Sequence, residues 1–169
     1  MLFWSGINVN TTWDSGTTWN REHVWPQSQG WFKTSGAGAD LHHIRPVDSS
    51  INSAHGNDPY AVISGGTFLK TSSLNGSVLT NCKKGGSKFE PADDRKGDTA
   101  RIIFYLLTRY PESDNVKITN VATSIEMLLE WHESDPVDQL EINRNEAVCG
   151  IQGNRNPFID YPEFADMIW

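Results

Sequence analysis

A carboxylate and an imidazole stand side by side at Glu22 and His23, and a polar segment about thirty residues later contains Asn52. Carboxylate and amide oxygens are hard ligands that suit Mg²⁺, and an ordinary histidine titrates near neutral pH, where it can act as a base. Arg21 and Arg45 flank this set, and a planar guanidinium group binds phosphate through two parallel hydrogen bonds. Together these residue types predict the cleavage of a phosphodiester bond.

Long strings around these residues resemble the endonuclease I family of nonspecific bacterial nucleases, whose active site is of the ββα-metal (His-Me finger) type. The resemblance covers nearly the whole chain in matching order. The strings are WNREHVWPQS (19–28), DLHHIRPVDSSINSAHGN (40–57), FEPADDRKGDTARIIFYLLTRY (89–110), LLEWHESDPVD (128–138) and QGNRNPFIDYPEF (152–164).

The resemblance implies that His23 is the general base and that Glu22 and Asn52 are the protein ligands of one Mg²⁺, which Mn²⁺ or Ca²⁺ could replace. It implies a largely sequence-nonspecific endonuclease for DNA, with RNA as a second candidate substrate, bound through the phosphate backbone. We expect a monomer with no membrane contact and no obligate protein partner. Relatives carry a secretory leader, so a secreted or periplasmic protein is expected.

Further residues are candidates for contact with the substrate. Arg45 could hold the scissile phosphate as part of the catalytic set, or could form a surface salt bridge. The remaining candidates share a side chain able to reach phosphate: Arg21, His55, Asn57, Lys96, Arg101 and Arg155. For several of them the alternative is a structural role, in a surface ion pair, a turn contact or a solvated helix face.

His55 departs from the family pattern Asn-x-x-Arg-x-Asn, because here the string is Asn-Ser-Ala-His-Gly-Asn over residues 52–57. If the arginine grips phosphate in relatives, this chain would bind nucleic acid more weakly, or only once His55 is protonated. Neighbours on a strand face opposite ways, so His42 and His43 cannot easily join one ion. His42 is expected to make a hydrogen bond that fixes the fold, and His43 either to orient a metal ligand or to be structural.

Two other classes of function stay open on the sequence. One is an inactive nucleic-acid-binding module of the same fold. The other is a zinc hydrolase that uses several of the histidines, although the chain lacks HExxH and its histidines lack helical i, i+4 spacing.

The net charge of −7 is an objection to a nucleic-acid partner. However, residues 1–110 carry eleven Lys and Arg against nine Asp and Glu, a balance of +2, while residues 111–169 carry three against twelve, a balance of −9. The acidity therefore lies in the C-terminal third, and a local basic patch can still attract phosphate, with modest affinity.

The site requires elements that bring Glu22, His23 and Asn52 together. The 169 residues suffice for one domain, expected to span 1–169, and 37% apolar residues favour a packed core. We expect an α+β fold, with a ββα-metal finger core of short strands and long loops at about 19–60 and helical support at about 98–169. Adjacent side chains on a strand face opposite ways, so Glu22 and His23 need a strand end or a bulge.

Local patterns predict the remaining elements. Asn75-Gly76 indicates a hairpin between two short apolar stretches. The predicted helices run from Asp98 to Pro111, along Ile125–His132, from Asp135-Pro136 to Gly153, and at the C-terminus after a capping box of Asp160 and Glu163. The third of these helices should bury a stripe from Val137 to Ile151 that includes Leu140.

Two features bear on the cellular compartment. Cys82 and Cys149 could form a disulfide or remain two free thiols. The first residues, MLFWSGINVN, lack a basic start and a cleavage site, so no signal peptide is predicted and the chain is expected to be shortened at its N-terminus relative to relatives.

Overall fold

The computed structural model describes residues 1–10, 12–30, 32–73, 76–110 and 116–169. Within these ranges the chain forms two small antiparallel sheets and seven α-helices, which confirms the α+β class. The strands are β1 (Trp19–His23), β2 (Ile44–Asp48), β3 (Thr67–Lys70), β4 (Leu79–Lys84) and β5 (Phe89–Glu90). The helices are α1 (Gln27–Gly30), α2 (Ser49–His55), α3 (Asp93–Arg109), α4 (Ile125–Ser134), α5 (Gln139–Gln152), α6 (Pro157–Asp160) and α7 (Phe164–Ile168).

The first sheet and the helix after it form the part of the fold that carries the predicted site. β1 pairs with β2 in a regular register from Trp19 opposite Asp48 to His23 opposite Ile44. Asp48 ends β2 and is also the N-cap of α2, where its side chain accepts hydrogen bonds from the backbone N–H of Ser50 and Ile51. This cap turns the chain directly from strand to helix, and α2 returns across β1.

The second sheet has the order β3-β4-β5 and lies beyond α2 along the chain. β3 and β4 pair antiparallel with a register shift between Phe68 and Lys70, so the predicted hairpin is confirmed. Of its predicted turn, Asn75 lies outside the described residues, while Gly76 has a φ of 85°, a conformation that suits glycine.

Helix α3 supplies much of the core, because its Ile102, Ile103, Phe104 and Leu106 are fully buried. It begins at Asp93 rather than at the predicted Asp98, since acidic residues in the first turn favour the helix dipole. It ends at Arg109, and Pro111, the predicted stop, lies outside the described residues. Helix α4 confirms the predicted second helix.

Helix α5 ends where it was predicted but begins later. Asp138 and Glu141 form a capping box that starts the helix at Gln139, and Gly153 ends it with a φ of 82°. Most of the predicted buried stripe is wrong, because Leu140 is 47% exposed and Ile151 is 77% exposed, although Val148 is buried. The helix instead buries polar side chains that find partners on neighbouring elements.

The C-terminal capping box was also wrong. Asn156 caps α6 through the backbone N–H of Phe158, and Glu163 precedes α7 without a side-chain cap. Cys82 and Cys149 are both free thiols. None of the helices in the described ranges is both long and apolar enough to cross a bilayer.

Candidate active site

His23 lies at the end of β1 and faces a groove of about 630 Å³. Its Nε2 lies 2.9 Å from the backbone oxygen of Gly38, in the short 3₁₀ turn Gly36–Ala39. A carbonyl oxygen can only accept, so Nε2 carries the proton and Nδ1 is left as the basic nitrogen. Asn20, Arg21 and Trp13 line the same groove. The fold thus fixes the tautomer that a general base requires.

Glu22 faces the opposite side of β1, toward helix α2. The ladder is regular here, so no bulge is present, and the strand end predicted for His23 is confirmed. The Glu22 side chain is only 3% exposed, and its Oε1 lies 2.6 Å from Nδ1 of His55. Nε2 of His55 donates to the backbone oxygen of Asp58 at 3.1 Å. Both ring nitrogens of His55 therefore face oxygen atoms, one of Glu22 and one of the backbone.

Asn52 lies on α2, one turn before His55, and holds the helix against β1. Its Nδ2 donates to Oδ1 of Asn20 at 2.6 Å and to the backbone oxygen of Arg21 at 3.3 Å. With its amide hydrogens directed at the strand, Asn52 can offer its Oδ1 to a cation. Asn20 lines the His23 groove as well, so it connects the two faces of the strand end.

The donor set at this junction can be compared with the needs of different metals. Glu22 and Asn52 supply one carboxylate and one amide oxygen, which fits Mg²⁺, since that ion usually takes one or two protein ligands and keeps several waters. Across the described ranges, no three His, Cys, Asp or Glu side chains cluster closely enough to hold an ion. The described residues therefore offer no ligand set for a zinc centre built from several histidines.

Arg45 lies directly opposite Glu22 in the ladder but is not in the His23 groove. Its guanidinium lies 5.4 Å from the ring centre of Phe3 and lines a separate cavity of about 400 Å³ with Arg144. Burial, with Arg144 next, lowers the pKa of Arg45 to about 9. The predicted role in holding the scissile phosphate does not fit this position, because the side chain is turned toward another cavity.

Arg21 and Asn57 are exposed, as a contact with substrate requires. Arg21 lines the His23 groove, with its guanidinium 5.5 Å from the ring centre of Trp13. Asn57 follows α2, and its backbone oxygen accepts a hydrogen bond from Gln29. The structure therefore brings Arg21 to the groove, whereas Asn57 does not line it.

His55 and Arg101 cannot contact phosphate from where they lie. His55 is fully buried, so its predicted contact is replaced by one with Glu22. Arg101 is 1% exposed and donates to both carboxylate oxygens of Glu141, at 2.8 and 2.6 Å. Both are corrections to the sequence prediction, and in both the reason is burial against a carboxylate.

Lys96 and Arg155 are also held in ion pairs away from His23. Lys96 lies 2.8 Å from Glu90, and Arg155 lies 2.7 Å from Asp160 and 2.6 Å from Glu146. Neither lines the groove, so the structure does not bring them to the site.

His42 and His43 have the structural positions that were expected. Nε2 of His42 donates to the backbone oxygen of Asn154, and Nδ1 of His43 donates to that of Ala37. Burial lowers the pKa of His43 to about 4, so the ring is neutral near pH 7 and accepts the backbone N–H of Trp25.

Most residues that line the groove were not predicted from the sequence, among them Trp13, Asn20 and Gly38. Alternation would not have found Asn20, because it places this residue on the face of Glu22 and away from His23. Gly38 acts through its backbone oxygen, for which the sequence carries no signal.

Comparisons with known proteins agree on one family. The family model for Endonuclease I matches residues 5–163. The extracellular ribonuclease of Bacillus subtilis (strain 168) is 44% identical over 153 residues, which are 83% of this chain and 50% of that protein. The extracellular ribonuclease of Bacillus amyloliquefaciens is 42% identical over 147 residues, 80% of this chain and 48% of that protein. Endonuclease-1 of Buchnera aphidicola subsp. Baizongia pistaciae (strain Bp) is 32% identical over 123 residues, 71% of this chain and 45% of that protein. The chain spans about half the length of these curated relatives.

Proposed function

The chain belongs to the endonuclease I family, and on that premise we propose that it is a divalent-metal-dependent endonuclease with His23 as its general base. The observation that carries the proposal is the hydrogen bond from Nε2 of His23 to Gly38. It leaves Nδ1 as the nitrogen that takes a proton from the attacking water at the groove. General-base help of this kind contributes about 10²–10⁴-fold to a rate.

Arg21 is the residue that would hold the phosphate beside His23. It lies two positions earlier on the strand, so both side chains leave β1 on the same face. Its guanidinium is exposed and lines the groove, and it can bind two phosphate oxygens at once. Arg21 would thus place the scissile bond within reach of the water that His23 activates.

Glu22 and Asn52 would hold the metal, with Mg²⁺ as the expected ion and Mn²⁺ or Ca²⁺ as substitutes. When bound, the ion supplies charge neutralisation at the phosphate and at the leaving 3′ oxygen. This chain's own contribution is orientation. His55 fixes the Glu22 carboxylate, and Asn20 fixes the Asn52 amide.

The substrate class follows from the site and from the relatives. Two relatives are named extracellular ribonuclease and one is named Endonuclease-1, so we propose both RNA and DNA as substrates of this chain. The groove offers Arg21 and His23 to the sugar-phosphate backbone, which is common to all sequences, so cleavage should be largely sequence-nonspecific. We further propose that the protein is secreted and acts as a monomer.

The second candidate function is a catalytically weakened nucleic-acid-binding module of the same fold. The burial of Glu22 favours it, because a carboxylate 3% exposed and bound to His55 must give access to an ion before the site can work. The two candidates differ in turnover and not in binding.

Nicking of a supercoiled plasmid and cleavage of a single-stranded RNA test the proposal. If the chain is a metal-dependent endonuclease, it should cleave both substrates with Mg²⁺. Cleavage should stop completely on adding EDTA and return when Mg²⁺ is restored. Arg155→Met is the control for the loss of an arginine outside the groove, and this variant should cleave at the parental rate. Binding of the nucleic acids without cleavage in the presence of each divalent ion would instead support the weakened nucleic-acid-binding module.

A further inference from the structure

Trp13 is a large apolar side chain that stays 47% exposed and lines the His23 groove. The ring is held in place and does not simply project into solvent. Trp19 packs against it with ring centres 5.0 Å apart and planes at 76°. Asp14 ties the loop to β1, because its carboxylate accepts the backbone N–H of Thr18 at 2.9 Å.

Arg21 lies over the Trp13 ring with its guanidinium carbon 5.5 Å from the ring centre. The groove thus presents a cation and an aromatic face side by side, next to the imidazole of His23. One nucleotide carries both matching groups, since its phosphate pairs with a guanidinium and its base stacks on an indole. For a nucleotide to make both contacts, the Arg21 guanidinium must leave the ring for the phosphate, so that the base takes its place on the ring.

We infer that Trp13 is a stacking subsite for one unpaired nucleobase beside the scissile phosphate, and that it makes the enzyme favour single-stranded RNA and DNA. The inference rests on the proposed nuclease function and adds a substrate preference to it. A base in a duplex is already stacked and paired, so reaching Trp13 would require its extrusion. A single strand does not carry that cost, and stacking is tolerant of sequence because every base has an aromatic face.

The first experiment compares kcat/KM on a single-stranded oligonucleotide and on its duplex, with Mg²⁺ present. Trp13→Ala should lower kcat/KM on the single strand about tenfold or more, mainly through KM, and change the duplex value by less than about threefold. Trp13→Phe should recover most of the loss, whereas Trp13→Leu should not, since leucine has size but no aromatic face. Tyr161→Ala is the control, because Tyr161 is exposed but outside the groove. Equal losses on both substrates, or full recovery with leucine, would overturn the inference.

The second experiment uses the wild-type protein and does not depend on the folding of any variant. A series of single-stranded oligonucleotides carries one abasic nucleotide at successive positions around a single cleavable linkage. The subsite predicts one position, adjacent to that linkage, where loss of the base lowers kcat/KM about tenfold. A flat profile would overturn it. No cleavage of any substrate would instead refute the nuclease function itself.

Discussion

Nδ1 of His55 lies 2.6 Å from Oε1 of Glu22, and the two side chains, 0% and 3% exposed, join helix α2 to strand β1. A buried carboxylate is costly unless it is paired, so His55 supplies the partner that keeps Glu22 in a fixed position. The family pattern that this chain resembles has arginine at this place. Both residue types can donate to a carboxylate, so either can hold Glu22, the proposed metal ligand, in position.

Replacing His55 tests this pairing. His55→Leu should leave Glu22 buried without a donor, which costs about 1–3 kcal/mol and lowers activity. His55→Asn, whose amide nitrogen can stand where Nδ1 is, should recover much of both losses. Thermal unfolding and the nicking rate measure the two effects. Equal behaviour of the leucine and asparagine variants would show that the hydrogen bond does not matter.

The proposed metal ligands should show themselves in the Mg²⁺ dependence. Glu22→Gln and Asn52→Ala should each raise the Mg²⁺ concentration at half-maximal activity by about tenfold or more, because each removes or weakens an oxygen ligand. Asn143→Ala on helix α5 is the control for an asparagine outside the site. An unchanged Mg²⁺ midpoint in both site variants would remove these residues from the metal site.

Arg21 and Arg45 lie on the same sheet but face different cavities, so their effects on binding should differ. Arg21→Met should weaken oligonucleotide binding and reduce the slope of log K against log salt by about one, as expected for one lost phosphate contact. Arg45→Met should leave the slope unchanged, since its guanidinium lies against Phe3. Binding titrations between low and moderate salt, in a His23→Ala background that prevents cleavage, measure both. A reduced slope in the Arg45→Met variant would show that Arg45 does contact the substrate phosphate.

Asp98 should make stability depend on pH. Burial, with Glu141 next, raises the pKa of Asp98 from 3.8 to about 7. The folded state therefore holds the proton more tightly, so this contribution to stability is fully present below pH 3.8 and is lost as the pH rises through about 7. The Asp98→Asn side chain is neutral at every pH. The Tm of this variant relative to the wild type should therefore increase by about 4 °C or more between pH 4.5 and 8, at about 2–4 °C per kcal/mol. A difference in Tm that does not change with pH would contradict this.

The sequence was sufficient for those parts of the molecule that depend on local chemistry. The α+β class, the strand end at His23 and the glycine stop of α5 at Gly153 were all predicted and confirmed. These features need only a turn residue, a cap or a run of apolar residues. Alternation on a strand also led to the expectation of a strand end or a bulge that would bring Glu22 and His23 together; the structure has the strand end, but the ladder is regular and the two side chains leave it on opposite faces.

The sequence failed where a long side chain had a choice of partners. Arg101 and His55 were interpreted as phosphate contacts, but each is buried against a carboxylate far away in the chain, Glu141 and Glu22. Most of the stripe on α5 failed for the same reason, because the helix buries Glu141 and Asn145 beside Val148. Such pairings follow from how helices assemble, and spacing along one helix does not contain them.

The most direct test of the account is the single-turnover cleavage rate of His23→Ala at saturating Mg²⁺, with the Mg²⁺ midpoint measured on the same variant. If His23 is the general base, the rate should fall by about 10²–10⁴-fold and the Mg²⁺ midpoint should stay within about threefold of the parent, since the base is lost and the proposed ligands remain. A rate within about threefold of the parent would contradict it.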